Sequence, residues 1–206
     1  MDIYHIVIWF FLCSLLGYLL ECVVLSAEHK TPVLNRGFGH GPFCIIYGFG
    51  ALGASILLKP VSDSYVELYL ASMIMATLME LFTASVMIHL FGSFWWDYSE
   101  KPFNYKGIIC LESSLGWGFL GIVYYGFLNG FLHRLVGLVP ESLEKGLAMS
   151  LLVFYIFDFL CSFRQALREG GGRVARPGQE RRWVCVHLWC CCWCSTWKFL
   201  PLSDGK

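Results

Sequence analysis

Charged residues are scarce in this chain, and neither sign is in excess. Aspartate, glutamate, lysine and arginine make up 15% of the 206 residues, and their charges sum to zero. Without a basic excess the chain lacks the electrostatic footprint of a nucleic-acid-binding protein, so we expect no nucleic-acid partner. Hydrophobic residues make up 57% and the mean hydropathy is +0.60, which is more apolar content than one soluble core can bury. The composition therefore predicts a multi-pass protein of the cell membrane.

Motifs that would carry chemistry are missing as well. No phosphate-binding loop of the form G-x-x-x-x-G-K-[ST] occurs, so ATP hydrolysis would require a separate subunit. No nucleophile and base pair and no metal-ligand spacing stand out in the apolar part, so we expect no cofactor and no metal. The start, Met1-Asp2, carries no positive charge, and the apolar run after it lacks a small-residue cleavage site. We therefore expect a membrane crossing there rather than a cleavable signal.

Five apolar runs predict an all-α integral membrane protein, a bundle of about five transmembrane helices. The predicted helices lie near residues 4–25, 42–58, 65–91, 107–128 and 146–163, in a transmembrane domain that covers 1–168. At about 1.5 Å per residue, the longer runs cross a hydrocarbon layer of about 30 Å. The second run is shorter and contains Gly48, Gly50 and Gly53, which favours close packing against a neighbouring helix over a broken helix that lines a cavity.

A weak internal repeat divides the first four runs into two halves. Each half contains an acid-bearing helix, a loop with asparagine, a basic residue and glycine, and a helix with a glycine-aromatic-glycine step. These features are Glu21, 35–37 and 48–50 in the first half, and Glu80, 104–107 and 116–118 in the second. The pattern predicts two helix-hairpin units related by a pseudo-twofold axis along the membrane normal, plus a final helix. A chance similarity is the alternative, because glycine and aromatic residues are common in such helices.

Four acidic residues fall inside the apolar runs. A charged side chain at the centre of a bilayer costs about 2.5 to 3.5 kcal/mol on insertion scales, so such acids point to function, with structural pairing inside the bundle as the alternative. We predict that they and the polar loop residues form a conducting or ligand-binding pocket that faces the cytoplasm. Its predicted members are Glu21, Asn35, Arg36, His40, Glu80, Asp97, Asn104, Lys106, Glu112 and Asp158.

The loop from Trp95 to Glu112 is dense in aromatic, charged and turn-forming residues. Trp95, Trp96 and Tyr98 are typical of the headgroup layer. Lys101 and Lys106 can pair with lipid phosphate or with a neighbouring carboxylate. A simple interfacial belt and a site-forming loop both fit this pattern. In either case the loop lies at a membrane surface.

Arginine residues gather at and beyond the end of the fifth run. They occur at positions 164, 168, 173, 176, 181 and 182. Because basic residues flanking a crossing favour the cytoplasmic side, we predict a cytoplasmic C-terminus and, with five crossings, an N-terminus outside.

The last segment, 169–206, differs in composition from the rest of the chain. Between Trp183 and Trp197 it holds four tryptophans and five of the ten cysteines. The crowded spacing of its cysteines and histidine fits no tetrahedral metal finger. We favour a reading-frame change near Gly170, which sequencing of the coding DNA through that point would test.

The loop motifs also resemble those of a known family. The order NRGFGHGPFCIIYGFGA, then WDYSEKPFNYKGIICLESSLGWG, then a helix with an aspartate near its end resembles the bacterial membrane proteins catalogued as putative ABC-transporter permeases of the CmpB type, which have small animal transmembrane relatives. The resemblance covers Tyr4 to Arg168. It implies a permease-like subunit that works with a separate ATP-hydrolysing subunit.

Three functional classes follow from these observations. In the first, the chain is half of a transport path in the lipid membrane, and a homodimer completes it. In the second, it is a membrane enzyme acting on a lipid or lipid-linked headgroup, with Glu21, Glu112 or Asp158 and with His29 or His40 as acid and base. In the third, it is a regulatory or assembly subunit whose buried acids only hold the bundle together. The first class is the one we favour.

Overall fold

Five α-helices make up most of the described structure, which confirms the expected all-α membrane bundle. The computed structural model describes residues 2–30, 32, 38–92, 94 and 96–170. The predicted site residues Asn35 and Arg36, the loop residue Trp95 and the segment 171–206 lie outside the described residues. The helices are α1 (Ile3–His29), α2 (Ile45–Leu57), α3 (Tyr65–Phe91), α4 (Leu111–Val136) and α5 (Glu141–Gly170).

Two further elements shape the bundle. One turn of α4, Tyr124–Leu128, is a π-helix. A short antiparallel hairpin, β1 (Asn104–Tyr105) and β2 (Ile109–Cys110), precedes α4.

Four of the five helices are long and apolar enough to cross a membrane, namely α1, α3, α4 and α5. Local chemistry defines their ends. The Asp2 carboxylate accepts a hydrogen bond from the Ile3 amide, and the Ser64 hydroxyl accepts one from Glu67 in the first turn of α3. Gly92 ends α3 in the left-handed conformation, with φ of 71°, which glycine adopts without steric cost. The helix α2 differs, because its 13 residues reach only about 20 Å.

Both α2 and α4 begin partway along the neighbouring long helix rather than at its end. The Cys44 amide, which immediately precedes α2, donates to the Ser14 carbonyl at 3.0 Å, and Ser14 lies near the middle of α1. In the second half, Ser113 in the first turn of α4 contacts Glu80. Glu80 precedes the end of α3 at Phe91 by 11 residues, about 16 Å along the helix axis. Each loop therefore descends alongside a long helix before the next helix starts.

Glycines permit the close contacts within each helix pair. A Cβ atom at Gly17 of α1 would overlap the Tyr47 ring of α2, and one at Gly48 would lie 2.5 Å from the Ser14 hydroxyl. Between α3 and α4, a Cβ at Gly121 would overlap Ser72. Small residues at such crossings let helix backbones approach closely, which is how helices associate in lipid.

The second part of α4 turns away from α3 and packs against α1. Before the π-helical turn, α4 lies along α3; after it, His133 stacks on Trp9 with ring centroids 5.1 Å apart. A π-turn is a recognised cause of such a kink. The helix α5 lies mainly along α1, where Tyr155 meets Phe11. Stacked aromatic side chains thus join α1 to both α4 and α5.

We predict that Gly17→Ala destabilises the protein far more than Gly130→Ala. Both changes add one methyl group to a helix, but a Cβ at Gly17 would overlap Tyr47, whereas nothing lies within 4 Å of one at Gly130. Overpacking of this kind typically costs about 1 to 3 kcal/mol. Thermal unfolding of the two variants in one detergent should show the difference. Equal melting temperatures would contradict the close packing of α1 against α2.

Candidate functional site

Glu80 of α3 is the most deeply buried charged residue of the described structure, with 5% of its surface exposed. The Tyr98 hydroxyl donates to its Oε1 at 3.3 Å, and the Ser113 hydroxyl donates to its Oε2 at 3.4 Å. The hairpin region holds Tyr98 in place, because the Tyr98 amide donates to the Gly107 carbonyl at 2.8 Å. Burial, and next the negative charge of Glu80, raise the pKa of Tyr98, so this phenol keeps its proton and acts as a donor.

Glu21 of α1 occupies the corresponding place in the first half. The Tyr47 hydroxyl donates to its Oε1 at 2.5 Å. The Tyr47 ring also lies against Trp117 of α4, with centroids 5.6 Å apart, and thereby connects the two halves. The indole Nε1 of Trp117 is buried near the Glu80 carboxylate. The two groups are not placed so as to form a hydrogen bond.

These side chains form one interior group, which we call the acid–aromatic cluster. Its members are Glu21, Tyr47, Glu80, Tyr98, Ser113 and Trp117. Within the described residues no ion pair involves Glu21 or Glu80, so hydroxyl groups are their hydrogen-bond partners. Tyr47 and Ser113 lie in the first turns of α2 and α4, where the positive end of the helix dipole favours a carboxylate. The cluster therefore holds its two acids without a basic side chain from the described residues.

Asp158 of α5 anchors the loop that precedes α2. Its two carboxylate oxygens accept the backbone amides of His40 and Gly41, at 3.0 Å and 3.1 Å. The Asp158 side chain is 11% exposed, and a Cβ at Gly39 would overlap it. The His40 ring adds contacts to α5, with Nδ1 2.8 Å from the Ser162 hydroxyl. The predicted residues His40 and Asp158 are thus brought together, and what they fix is the path of the backbone.

Asp97 and Asn104 stabilise the hairpin region. Asp97 Oδ1 accepts hydrogen bonds from the Ser99 amide at 2.9 Å and the Ser99 hydroxyl at 2.6 Å. The Asn104 amide donates to the Lys101 carbonyl at 2.8 Å, and its oxygen accepts from the Gly107 amide at 3.1 Å. Both are exposed side chains that bond to their own loop.

The two lysines of this region differ. Lys101 forms an ion pair with Glu112, with Nζ 3.3 Å from Oε2. The Glu112 side chain is 65% exposed, and no described contact joins it to Glu21, Glu80 or Asp158. Lys106 has no acidic partner among the described residues, and its Nζ lies 5.3 Å from the centroid of the Tyr105 ring.

The structure therefore joins Glu21 with Glu80, and His40 with Asp158, but leaves Glu112 at the surface. The sequence-based set omitted Tyr47, Tyr98 and Trp117, which provide most of the surroundings of the acids. The available signal was weak: Tyr47 and Trp117 each stand beside a glycine in an apolar run, a pattern that is equally typical of lipid-facing residues.

One comparison with known proteins gives a match. The model of a family described as "Putative ABC-transporter type IV" matches residues 8–163. No curated protein sequence and no solved structure matches the chain. The matched range contains the acid–aromatic cluster and the Asp158 anchor.

We predict that Asp158→Asn lowers stability by about 1.5 to 3 kcal/mol, the range for a hydrogen bond to a charged group. The change removes the charge that receives the His40 and Gly41 amides. The control is Glu112→Gln, which breaks an exposed ion pair and should cost less than about 1 kcal/mol. Thermal unfolding of both variants gives the comparison. An Asp158→Asn protein as stable as the Glu112→Gln control would show that the anchor is dispensable.

Proposed function

Since the chain belongs to the family described as putative ABC-transporter type IV, we propose that it is the transmembrane subunit of a transport system and that the acid–aromatic cluster lines the path of the transported solute. The observation that carries this proposal is the environment of Glu80. Its carboxylate is buried at the middle of a long apolar helix, and none of the described basic residues is paired with it. Ionisable residues placed so inside a membrane characteristically mark substrate or ion pathways.

The two segments that lead into α2 and α4 support the same proposal. Transporters commonly form their sites from helices that begin within the membrane, because the exposed ends of such helices bind charged groups. Here α2 begins beside Ser14, and α4 begins beside Glu80. The first turn of each helix brings one cluster residue to an acid: Tyr47 to Glu21 and Ser113 to Glu80. Non-helical backbone at this depth is tolerated where it is buried in protein or lines a polar cavity.

We propose that the path opens toward the cytoplasm. The loop before α2 lies at the C-terminal end of α5, as the contacts of Asp158 and Ser162 with His40 indicate. The end of α3, which leads to the hairpin, lies at the same end, since Phe91 meets Phe163 of α5. Arg164 and Arg168 lie at this end of α5, and basic residues there favour the cytoplasmic side. Because α2 ends beside the start of α3, at the other end of the bundle, it counts as a crossing despite its length, and with five crossings the N-terminus lies outside the cell membrane.

Two partners complete the proposed transporter. ATP hydrolysis comes from a separate subunit, because the chain contains no phosphate-binding loop. The exposed residues Pro102 and Phe103, immediately before the hairpin, are the surface for it to dock. A second copy of the chain completes the path, since one copy has only four helices long enough to cross the membrane within the described residues.

The orientation can be tested by cysteine labelling in intact cells. A cysteine at Asp63, in the exposed connection before α3, should react with a membrane-impermeant maleimide added outside. A cysteine at Phe103, which is exposed immediately before β1, should react only after the cells are opened. The reverse pattern would place the loops outside and would contradict the cytoplasmic opening.

The transport role can be tested with Glu80→Gln and Glu21→Gln. Vesicles with the cytoplasmic face outward, carrying the full chain and its native partners, would be incubated with and without ATP, and their solute content compared by mass spectrometry. We expect ATP-dependent accumulation with the wild-type chain and at least a tenfold loss with either variant, because each removes a pathway charge.

Glu112→Gln is the matched control, since it neutralises an acid at the surface and should keep the accumulation. Both cluster variants should remain inserted and monodisperse on gel filtration. Full activity in Glu80→Gln and Glu21→Gln, or no ATP-dependent difference with the wild-type chain, would refute the transport proposal and favour an assembly role.

A further inference from the structure

An open groove lies between α3 and the hairpin, outside the acid–aromatic cluster. It has a volume of about 400 Å³ and is lined by Leu81, Ser85, Ile88, Tyr105, Lys106 and Ile108. This volume falls within the range of about 300 to 1,000 Å³ that is usual for small-molecule sites. The three α3 residues stand at i, i+4 and i+7, so they form one stripe about 10 Å long on a helix face.

The three side chains of the stripe present no free polar group to a ligand in the groove. The Ser85 hydroxyl donates to the Leu81 carbonyl at 2.7 Å, and the other two side chains of the stripe are aliphatic. Leu78 and Phe82, on the neighbouring stripe of α3, are exposed and face hydrocarbon once the helix lies in a bilayer. The groove therefore continues a lipid-facing surface and does not lead into the interior.

A single positive charge lies at the hairpin side of the groove. Lys106 is exposed, has no acidic partner among the described residues, and has its ammonium over the Tyr105 ring. Its backbone is left-handed, with φ of 55°, and Gly107 follows with φ of 70°. A side chain other than glycine is strained there by about 1 to 2 kcal/mol, and strain of this kind is often kept where the residue has a function.

The hairpin holds this lysine in a fixed place. The Ile108 amide donates to the Tyr105 carbonyl at 3.0 Å across the turn, and the Trp96 indole donates to the Ile108 carbonyl at 2.7 Å. The neighbouring Lys101 is already paired with Glu112. The hairpin thus fixes the backbone of Lys106 at the junction of a polar loop and an apolar helix face, and its exposed ammonium lies near the Tyr105 ring.

We propose that this groove binds an anionic phospholipid, with its phosphate on the Lys106 ammonium and one acyl chain along Leu81, Ser85 and Ile88. The charge of Lys106 complements the phosphate, and the stripe complements the chain. A soluble anion would use only the lysine and leave the apolar stripe exposed. In the proposed orientation the groove faces the cytoplasmic leaflet, which carries the anionic lipids. The lipid site rests on the proposed orientation but not on the proposed transport role.

The test is lipid retention by the full-length protein. Wild-type protein in nanodiscs of equal parts phosphatidylglycerol and phosphatidylcholine would be extracted with mild detergent, and the retained lipids identified by native mass spectrometry. We expect phosphatidylglycerol to be retained preferentially. Lys106→Gln should lower that preference about fivefold, which corresponds to about 1 kcal/mol per basic residue at an anionic membrane surface. Lys106→Arg should restore it.

Two further variants separate the charge from the groove. Lys59→Gln removes a lysine from the short 3₁₀ helix that follows α2, at the other end of the bundle, and should leave the preference unchanged. Ser85→Phe fills the groove but keeps Lys106, so it should also lose the retained lipid. Thermal unfolding would confirm that the variants are folded, and if Ser85→Phe is not, Ser85→Leu replaces it.

Two results would overturn the proposal. The first is an unchanged preference for phosphatidylglycerol in Lys106→Gln. The second is displacement of the retained lipid by glycerol phosphate alone at matched concentration, which would indicate a phosphate site that does not use the acyl chain. Loss of ATP-dependent solute accumulation in the cluster variants has no bearing on either result, so the two proposals fail separately.

Discussion

The architecture depends on the two hydrogen bonds by which Asp158 accepts the backbone amides of His40 and Gly41. Backbone amides that enter a bilayer need partners, because an unpaired one costs several kcal/mol. With these two amides paired, the chain can descend beside α1 and start α2 at Ser14. Because α2 starts there, the Tyr47 ring lies against Gly17 and the Tyr47 hydroxyl reaches the Glu21 carboxylate. The anchor on the last helix thus positions the acid of the first.

The second half meets the same constraint by a different route. Its descending segment pairs with itself, in a two-stranded hairpin whose turn is completed by side chains such as Asn104. The hairpin carries Tyr98 down to Glu80, as the first loop carries the chain down to Glu21. The outcomes are similar although the bonds differ: an acid on a long helix meets a hydroxyl group brought by the following segment. A shared function for the two acids would explain why unlike loops reach the same arrangement.

The fold class could be predicted from the sequence, because apolar runs of more than 18 residues have few alternatives to membrane helices. The depth at which α2 and α4 begin could not, since hydropathy does not record where a loop enters the bundle. Glu112 illustrates this. The apolar run suggests a helix from Gly107, but the left-handed turn at Lys106 and Gly107 and the strand β2 delay the helix until Leu111. Glu112 then lies in the first turn of α4, with its side chain exposed on the outer side of the bundle and paired with Lys101. The partners Tyr47 and Tyr98 depend on tertiary approach, so no sequence pattern marks them.

The acids and bases of the described structure fall into distinct chemical roles. Asp158 receives backbone amides, while Glu112 has an exposed lysine as its partner. Glu21 and Glu80 have neither, and hydroxyl groups from separate segments hold them. A stabilising role in lipid would be met better by an apolar side chain, since burying a charge costs more than its hydroxyl partners return. Among the described residues, Glu21 and Glu80 are therefore the acids whose presence the packing does not explain, and this is the reason for proposing that they serve a transported solute.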